Sequence, residues 1–161
     1  MSLGHSVRNN PVRPATIKDI RTVTEGMRED DAREARALGY DPKAALASSC
    51  IYSDKVFAVV DDKDNAVALF GVGPHVLDGE VTVGCCWLVG TDGFPGVALK
   101  AARIVPGWVH ELHADYPVLW NWVDCRNRVH VRWLKWLGFE FLNTAPRGKN
   151  GELFHQFIRV K

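Results

Sequence analysis

Two apolar runs, Val56-Phe57-Ala58-Val59-Val60 and Ala66 to Val72, stand on either side of five consecutive polar turn-formers, Asp61-Asp62-Lys63-Asp64-Asn65. β-Branched and aromatic side chains suit a pleated, half-buried surface, and a polar connection of this length closes two strands antiparallel. The middle of the chain is therefore an antiparallel hairpin, and every other segment has to pack on it or extend it. Val81 to Val89, after the turn Asp78-Gly79, is a third strand candidate. Leu119 to Asp124, Phe139 to Asn143 and Leu153 to Val160 supply three more, the last two joined as a hairpin by the turn-rich Pro146 to Gly151.

Helical patterns lie between these strands. Val12 to Thr16 reads as a short strand that leads into a helix from Ile17. Thr16 is placed to cap that helix, with Asp19 three residues on as the reciprocal acid. The charge-rich Glu25 to Leu38 continues the helix, Gly39 ends it, and Pro42 opens a second helix to about Cys50. Gly90 to Gly96 breaks regular structure. A helical period then resumes through Val97, Ala101, Val105, Trp108 and Leu112, with a kink or break expected at Pro106. From Asn127 to Leu137, Val129, Trp133 and Trp136 form one apolar row, and Arg128, Arg132 and Lys135 form the solvent row. The order is strand, two helices, three strands, helix, strand, helix, two strands. A mixed sheet of about seven strands with helices on both faces, α/β (α+β) in class, is the simplest way to bury all of them.

The chain has 161 residues, 47% of them hydrophobic, so one domain with a full core is expected. A formal net charge of +1 argues against a protein that coats nucleic acid or lies on an anionic membrane. No stretch approaches the apolar length of a membrane span, and the amino-terminal residues have no secretory core, so a cytoplasmic protein is expected. Met1-Ser2-Leu3 has the look of an appended leader, so residues 1–10 are given no part in the fold and the domain is placed at 11–161. The four cysteines, Cys50, Cys85, Cys86 and Cys125, form no CxxC pair, and reduced thiols are expected.

Arg13-Pro14-Ala15-Thr16 with Asp19-Ile20 resembles the opening of the GNAT superfamily of acyl-CoA-dependent N-acetyltransferases. Asn127 to Gly138-Phe139 is similar to that family's segment in which an Asn begins a helix that ends in Gly-Phe eleven and twelve residues later. The likeness spans Val12 to Val160. It implies a single GNAT-like domain, acetyl-CoA as cofactor and a primary amine as acceptor. In that family a glycine-rich turn opening the central helix holds the cofactor's pyrophosphate on free amides at the positive end of the helix dipole. The resemblance carries Leu88, Val89, Gly93, Phe94, Gly96, Val97, Ala98, Asn127, His130 and Leu134 over as cofactor-binding positions.

Two departures stand out. Gly96-Val97-Ala98 keeps the family's ending, but Gly93 stands where an Arg or Gln belongs, and Pro95 offers no amide. Many members place on the last helix a Tyr that returns a proton to the departing thiolate. The matching residue here is Leu134, which cannot do so. Catalysis would then rest on positioning, on a carbonyl polarised by a backbone amide near Leu88 or Val89, and on a base, for which Glu80 and Asp124 are the candidates.

Other features have plain readings. His110 and His113 are three apart with no third ligand behind them, so a helix face is preferred to a zinc site, and no metal site is expected. His130 is read as a hydrogen-bonded, semi-buried histidine and Cys85 and Cys86 as packing residues. The tryptophans and cations around Trp133 and Trp136 are read as an ordinary amphipathic helix, with no nucleic-acid partner and no membrane.

Leu119 to Val123 with His130 to Lys135 and Leu137-Gly138 also resembles the GNAT-like internal virion protein family of short-tailed phages. Two functions are therefore in play. One is an N-acetyltransferase with a degenerate cofactor loop, the reading the residues favour at this stage. The alternative is a non-catalytic GNAT-fold virion or accessory protein, located in the host cytoplasm or the particle, with homodimer or virion-assembly partners. The acceptor segments, Gly26 to Ser49 and Thr144 to Gly151, name no substrate.

Overall fold

The computed structural model describes residues 10–161; the expected leader lies outside them except for Asn10. The elements run β1 (Val12–Pro14), α1 (Ile17–Glu25), α2 (Glu29–Ala37), α3 (Pro42–Tyr52), β2 (Lys55–Val60), β3 (Ala66–Leu77) and β4 (Val81–Gly90). They continue with α4 (Phe94–Leu112), β5 (Val118–Asp124), α5 (Arg128–Trp136), β6 (Glu140–Pro146) and β7 (Leu153–Val160). The seven strands form one sheet in the order β1-β2-β3-β4-β5-β7-β6. Every neighbouring pair is antiparallel except β4 and β5, which run parallel. The sheet has a core on each face. Phe57, Val59, Phe70 and Leu119 pack with α4 on one side, and Ala58, Val60 and Leu69 pack with Val23 and Leu46 of α1 and α3 on the other.

The capping box at Thr16 forms as read: Asp19 N–H donates to Thr16 Oγ1, and Asp19 Oδ2 accepts from Thr16 N–H at 2.8 Å. The first long helix does not form as expected. It stops at Glu25, because the chain at Met27 pairs with Thr91 and Arg28 N–H donates to Gly90 O at 2.8 Å, contacts that an unbroken helix could not make. Two helices thus replace one, and the second, α2, is laid across the end of β4.

Strand β3 runs five residues past its expected end, through Pro74. Gly90 of β4 turns its amide away from β3, toward Asp31, and the two-residue period gives Gly84 the same orientation. Pro74, opposite Gly84, therefore directs its nitrogen toward β2, whose pairing has already ended at Lys55↔Val72. No ladder bond is lost. Helix α4 runs unbroken through Pro106. The carbonyl whose donor Pro106 removes belongs to Ala102, and it accepts the indole N–H of Trp136 at 3.4 Å instead. No helix among the described residues is long and apolar enough to cross a membrane.

Candidate functional site

Parallel pairing between β4 and β5 is confined to Gly84↔Leu119 and Cys85↔Trp120. Beyond these residues the strands separate, so the sheet is split from Cys86 and Asn121 onward. A methyl group on Gly84 would lie 2.8 Å from the Tyr116 ring and 2.9 Å from Leu119, so the first of the two paired positions has no room for a side chain. A cavity of about 640 Å³ passes through the split. Ala45 and Leu46 line it on one face, Val105 and Leu134 on the other, and Leu88 and Trp122 at the edges.

Parting two strands leaves their facing backbone groups without a ladder, and buried groups of that kind need partners. On β4 these are the groups of Cys86, Leu88 and Gly90. Asn121 Nδ2 donates to Cys86 O at 2.8 Å, and Asn121 Oδ1 accepts Trp122 N–H at 2.8 Å. One side chain thus closes the apex on both sides. At the mouth, Gly90 N–H donates to Asp31 Oδ2 at 2.8 Å and Asp124 N–H donates to Glu34 Oε1 at 2.6 Å. Asp31 and Glu34 are three residues apart on α2, so one turn of helix spans the opening and takes an amide from each strand.

Asp31 also gathers the polar groups around it. Its Oδ1 accepts Asn127 Nδ2–H at 2.9 Å and lies 3.5 Å from Arg28 Nη1 and 3.3 Å from His130 Nε2. Asp31, Arg28, Asn127 and His130 are all buried. Burial pushes the His130 imidazole below its ordinary range, which keeps it neutral. Glu34 is half-buried on the cavity wall. Loss of water, with Asp31 and Asp124 adding like charge, outweighs the hydrogen bond from Asp124 and pushes its carboxyl up to about 8. The loop between β6 and β7 completes this end. Lys149 N–H donates to Ala37 O at 2.8 Å, and the Arg147 guanidinium lies 4.6 Å from the Trp122 ring.

The residues expected from sequence separate into two groups. Leu88, Val89, Phe94, His130 and Leu134 line the cavity, and Asn127 stands at the N-cap position of α5 without a side-chain cap bond, its amide given to Asp31 instead. The period of the strand points the backbone groups of Leu88 into the split and those of Val89 toward β3, so Leu88 alone of the two presents an amide there. The proposed cradle at the start of α4 is thin. Gly93 N–H donates to Thr91 Oγ1 at 3.3 Å, Phe94 N–H donates to Thr91 O at 3.1 Å, and Pro95 has no N–H. Ala98 lies far enough into the helix for its amide to bond to a preceding carbonyl. The amides of Gly96 and Val97 make no bond to the carbonyls of Thr91 to Gly93. A Cβ on Gly93 would lie 3.1 Å from Val67, so the larger residue of the family pattern would be crowded there.

The two candidate bases are displaced from that role. Glu80 is exposed in the turn before β4, six residues and so about 20 Å of strand from Cys86. Asp124 is buried beside the split, but its carboxylate accepts the N–H and Nε–H of Arg126 and is bridged by Nη2 at 2.7 Å. Burial alone would raise its pKa, and these bonds hold it below the usual carboxylate value. A carboxylate so held is a poor base near neutrality. Sequence reasoning missed Asp31 and Glu34, which sit in a run of charge, Glu29-Asp30-Asp31-Ala32-Arg33-Glu34, that looks like a solvated helix face. Their three-residue spacing, with Ala35 and Leu38 on the same side, is the signal that was there to be read.

All four cysteines are free. Burial raises Cys85 to about 11 and pushes Cys86 up as well, which makes both inert near neutrality. His113 is buried with Nδ1 at 2.9 Å from Tyr116 O.

Comparison with known proteins places these features in context. A family model described as bacteriophage T7 probable scaffold protein Gp13 matches residues 66–144. The probable scaffold protein gp13 of Escherichia phage T7 is 27% identical over 150 residues, which cover 89% of this chain and 94% of that protein. Among solved structures, the ribosomal-protein-alanine N-acetyltransferase of Brucella melitensis aligns with a TM-score of 0.70 at 15% identity, over 93% of this chain and 99% of that one. A chain of the NatC complex bound to Gag peptide and CoA aligns with a TM-score of 0.68 at 11% identity, over 93% and 97%. A GNAT-family acetyltransferase from Streptococcus pneumoniae aligns with a TM-score of 0.63 at 11% identity, over 93% and 98%. The chain has the GNAT fold.

Proposed function

We propose that this GNAT-fold chain is a non-catalytic phage protein that acts in building the particle or as part of it, and that it does not transfer acyl groups. The observation that supports this most is the use of Asp31 and Glu34 to bridge the mouth of the split. The Gly90 and Asp124 amides at the mouth of the split are already bonded to carboxyl groups of α2, so they are not open to a coenzyme A thioester lying between β4 and β5. The pyrophosphate would need several donors at the start of α4, where the Gly93 and Phe94 amides are already used and Pro95 has none. Each charge-assisted donor missing from such a cradle weakens binding by about 1.5–3 kcal/mol. The residues present do not fit acetyl-CoA. Resemblance to a probable scaffold protein points the same way, and a location in the host cytoplasm or the particle follows from it.

One observation favours the transferase instead. Glu34, pushed up to about 8 on the wall of an apolar cavity, has the character of a general base. Isothermal titration with acetyl-CoA separates the two readings. No heat at millimolar ligand is the expected result. Micromolar binding, about −8 kcal/mol, would overturn the assembly reading and make Glu34 the base to test.

A further inference from the structure

Sequence periodicity placed Trp136 in the apolar row of the last helix, but the structure places it outside: Trp136 is 67% exposed. It belongs to the row Arg128, Arg132, Trp136, spaced one turn apart, with Lys135 alongside, and all four are exposed. Across from them on α4 lie Arg103 and Leu99, the latter 77% exposed and one turn before Ala102. The indole is held in place by its N–H bond to Ala102 O, the carbonyl freed by Pro106. An exposed aromatic ring anchored by a backbone bond is pre-positioned for contact.

The charge on this face is unusual for a chain that is nearly neutral. Arg103, Arg128, Arg132 and Lys135 have no ion-pair partner among the described residues, and α5 contains no acid. The Lys135 ammonium instead lies 5.7 Å from the Phe141 ring. The acids of α2, by contrast, are used internally: Asp30 pairs with Arg28 and Arg33, Glu29 with Arg36, and Asp31 is buried. Four cations without ion-pair partners among the described residues thus stand on α4 and α5.

We propose that this face binds single-stranded nucleic acid, with Arg128, Arg132 and Lys135 on the phosphates and a base stacked on Trp136. A row of cations beside an aromatic platform is the pairing that unpaired strands use. Charge alone would suit any polyanion, but Trp136 separates the cases. A bilayer needs a broad apolar stripe to insert, and here Leu99 and Trp136 stand alone among cations.

The test is fluorescence anisotropy of a labelled thymidine oligonucleotide of about twelve nucleotides titrated with the full chain. Saturable binding is expected, weakening roughly 20-fold between about 50 and 200 mM salt, as three neutralised phosphates require. The triple variant R128A/R132A/K135A, checked for folding by circular dichroism, should lose both the affinity and the salt dependence. Arg132→Ala alone should reduce the salt slope by about a third. Trp136→Ala should weaken binding about tenfold and leave the salt slope unchanged. Four outcomes would overturn the proposal: no binding of the oligonucleotide; binding that the triple variant retains; a duplex bound as tightly with no effect of Trp136→Ala; or binding to phosphatidylglycerol vesicles without binding to the oligonucleotide.

Discussion

Asp31 and Glu34, one turn apart on α2, hold opposite sides of a split sheet: the first accepts the amide of Gly90 on β4 at 2.8 Å, the second that of Asp124 on β5 at 2.6 Å. The strands diverge after Cys85 and Trp120, and α2 supplies across the gap the bonds that a neighbouring strand would have made. Helix α2 is thus part of the sheet's bonding. It is placed there because the chain leaves α1 at Gly26 and crosses the end of β4 through the Arg28 to Gly90 backbone bond.

Asp31→Ala removes at once the partner of Gly90 N–H, Asn127 Nδ2 and the buried Arg28. Breaking a buried charged cluster at its shared member destabilises by about 3–5 kcal/mol. Asp30→Ala, which deletes an acid with a half-exposed side chain from the same helix, should cost less than about 1 kcal/mol. Urea unfolding of the two variants measures the contrast, and equal losses would show that α2 does not close the split.

The raised pKa of Glu34 makes stability depend on pH in a definite sense. Its carboxyl moves from an ordinary value of 4.5 to about 8 on folding, so the native state holds a proton that the unfolded chain has released across that window. The favourable contribution is complete below about 4.5 and fades as pH rises to about 8. Glu34→Gln keeps an oxygen for Asp124 N–H and cannot ionise. Unfolding free energies measured from pH 5 to 8 should therefore diverge in favour of Glu34→Gln as pH rises. His130, whose pKa is lowered by burial, acts oppositely on acidification, but both proteins retain it and its effect cancels in the comparison.

A methyl group at Gly84 would meet the Tyr116 ring and Leu119 in the short stretch where β4 and β5 pair. Overpacking of this kind costs about 1–3 kcal/mol. Gly84→Ala should lower the melting temperature by several degrees, about 2–4 °C per kcal/mol for a domain of this size. Gly96→Ala, where an added methyl meets nothing within 4 Å, is the matched control and should shift it little.

Strand alternation, the capping box at Thr16 and the turn residues depend on neighbours in sequence, and these made the sheet, α3 and the last hairpin legible. What escaped depends on contacts between distant segments. Glu25 to Leu38 has no local reason to break except Gly26, and its break is made by pairing with Gly90 and Thr91. Asp31 and Glu34 look like surface acids until the split they bridge is known. Glu80 and Asp124 were chosen for lying near the ends of the right strands. Strand ends say nothing of which way a carboxylate faces, and Arg126, two residues away, had already claimed that of Asp124.

Pro106 does not interrupt α4, and its missing N–H acts at Trp136. With no N–H at position 106, the Ala102 carbonyl is free to take the indole donor from α5, so a residue unfavourable to one helix ties two helices together. Pro106→Ala should restore the helical bond to Ala102 O and relieve the cost of an interior proline, raising stability by about 1–3 kcal/mol. The same change makes the indole compete for its acceptor. Hydrogen exchange of the Trp136 indole N–H, followed by NMR, should therefore become faster in the more stable protein. Slower exchange, or a loss of stability, would mean that Pro106 and Trp136 are not coupled through Ala102.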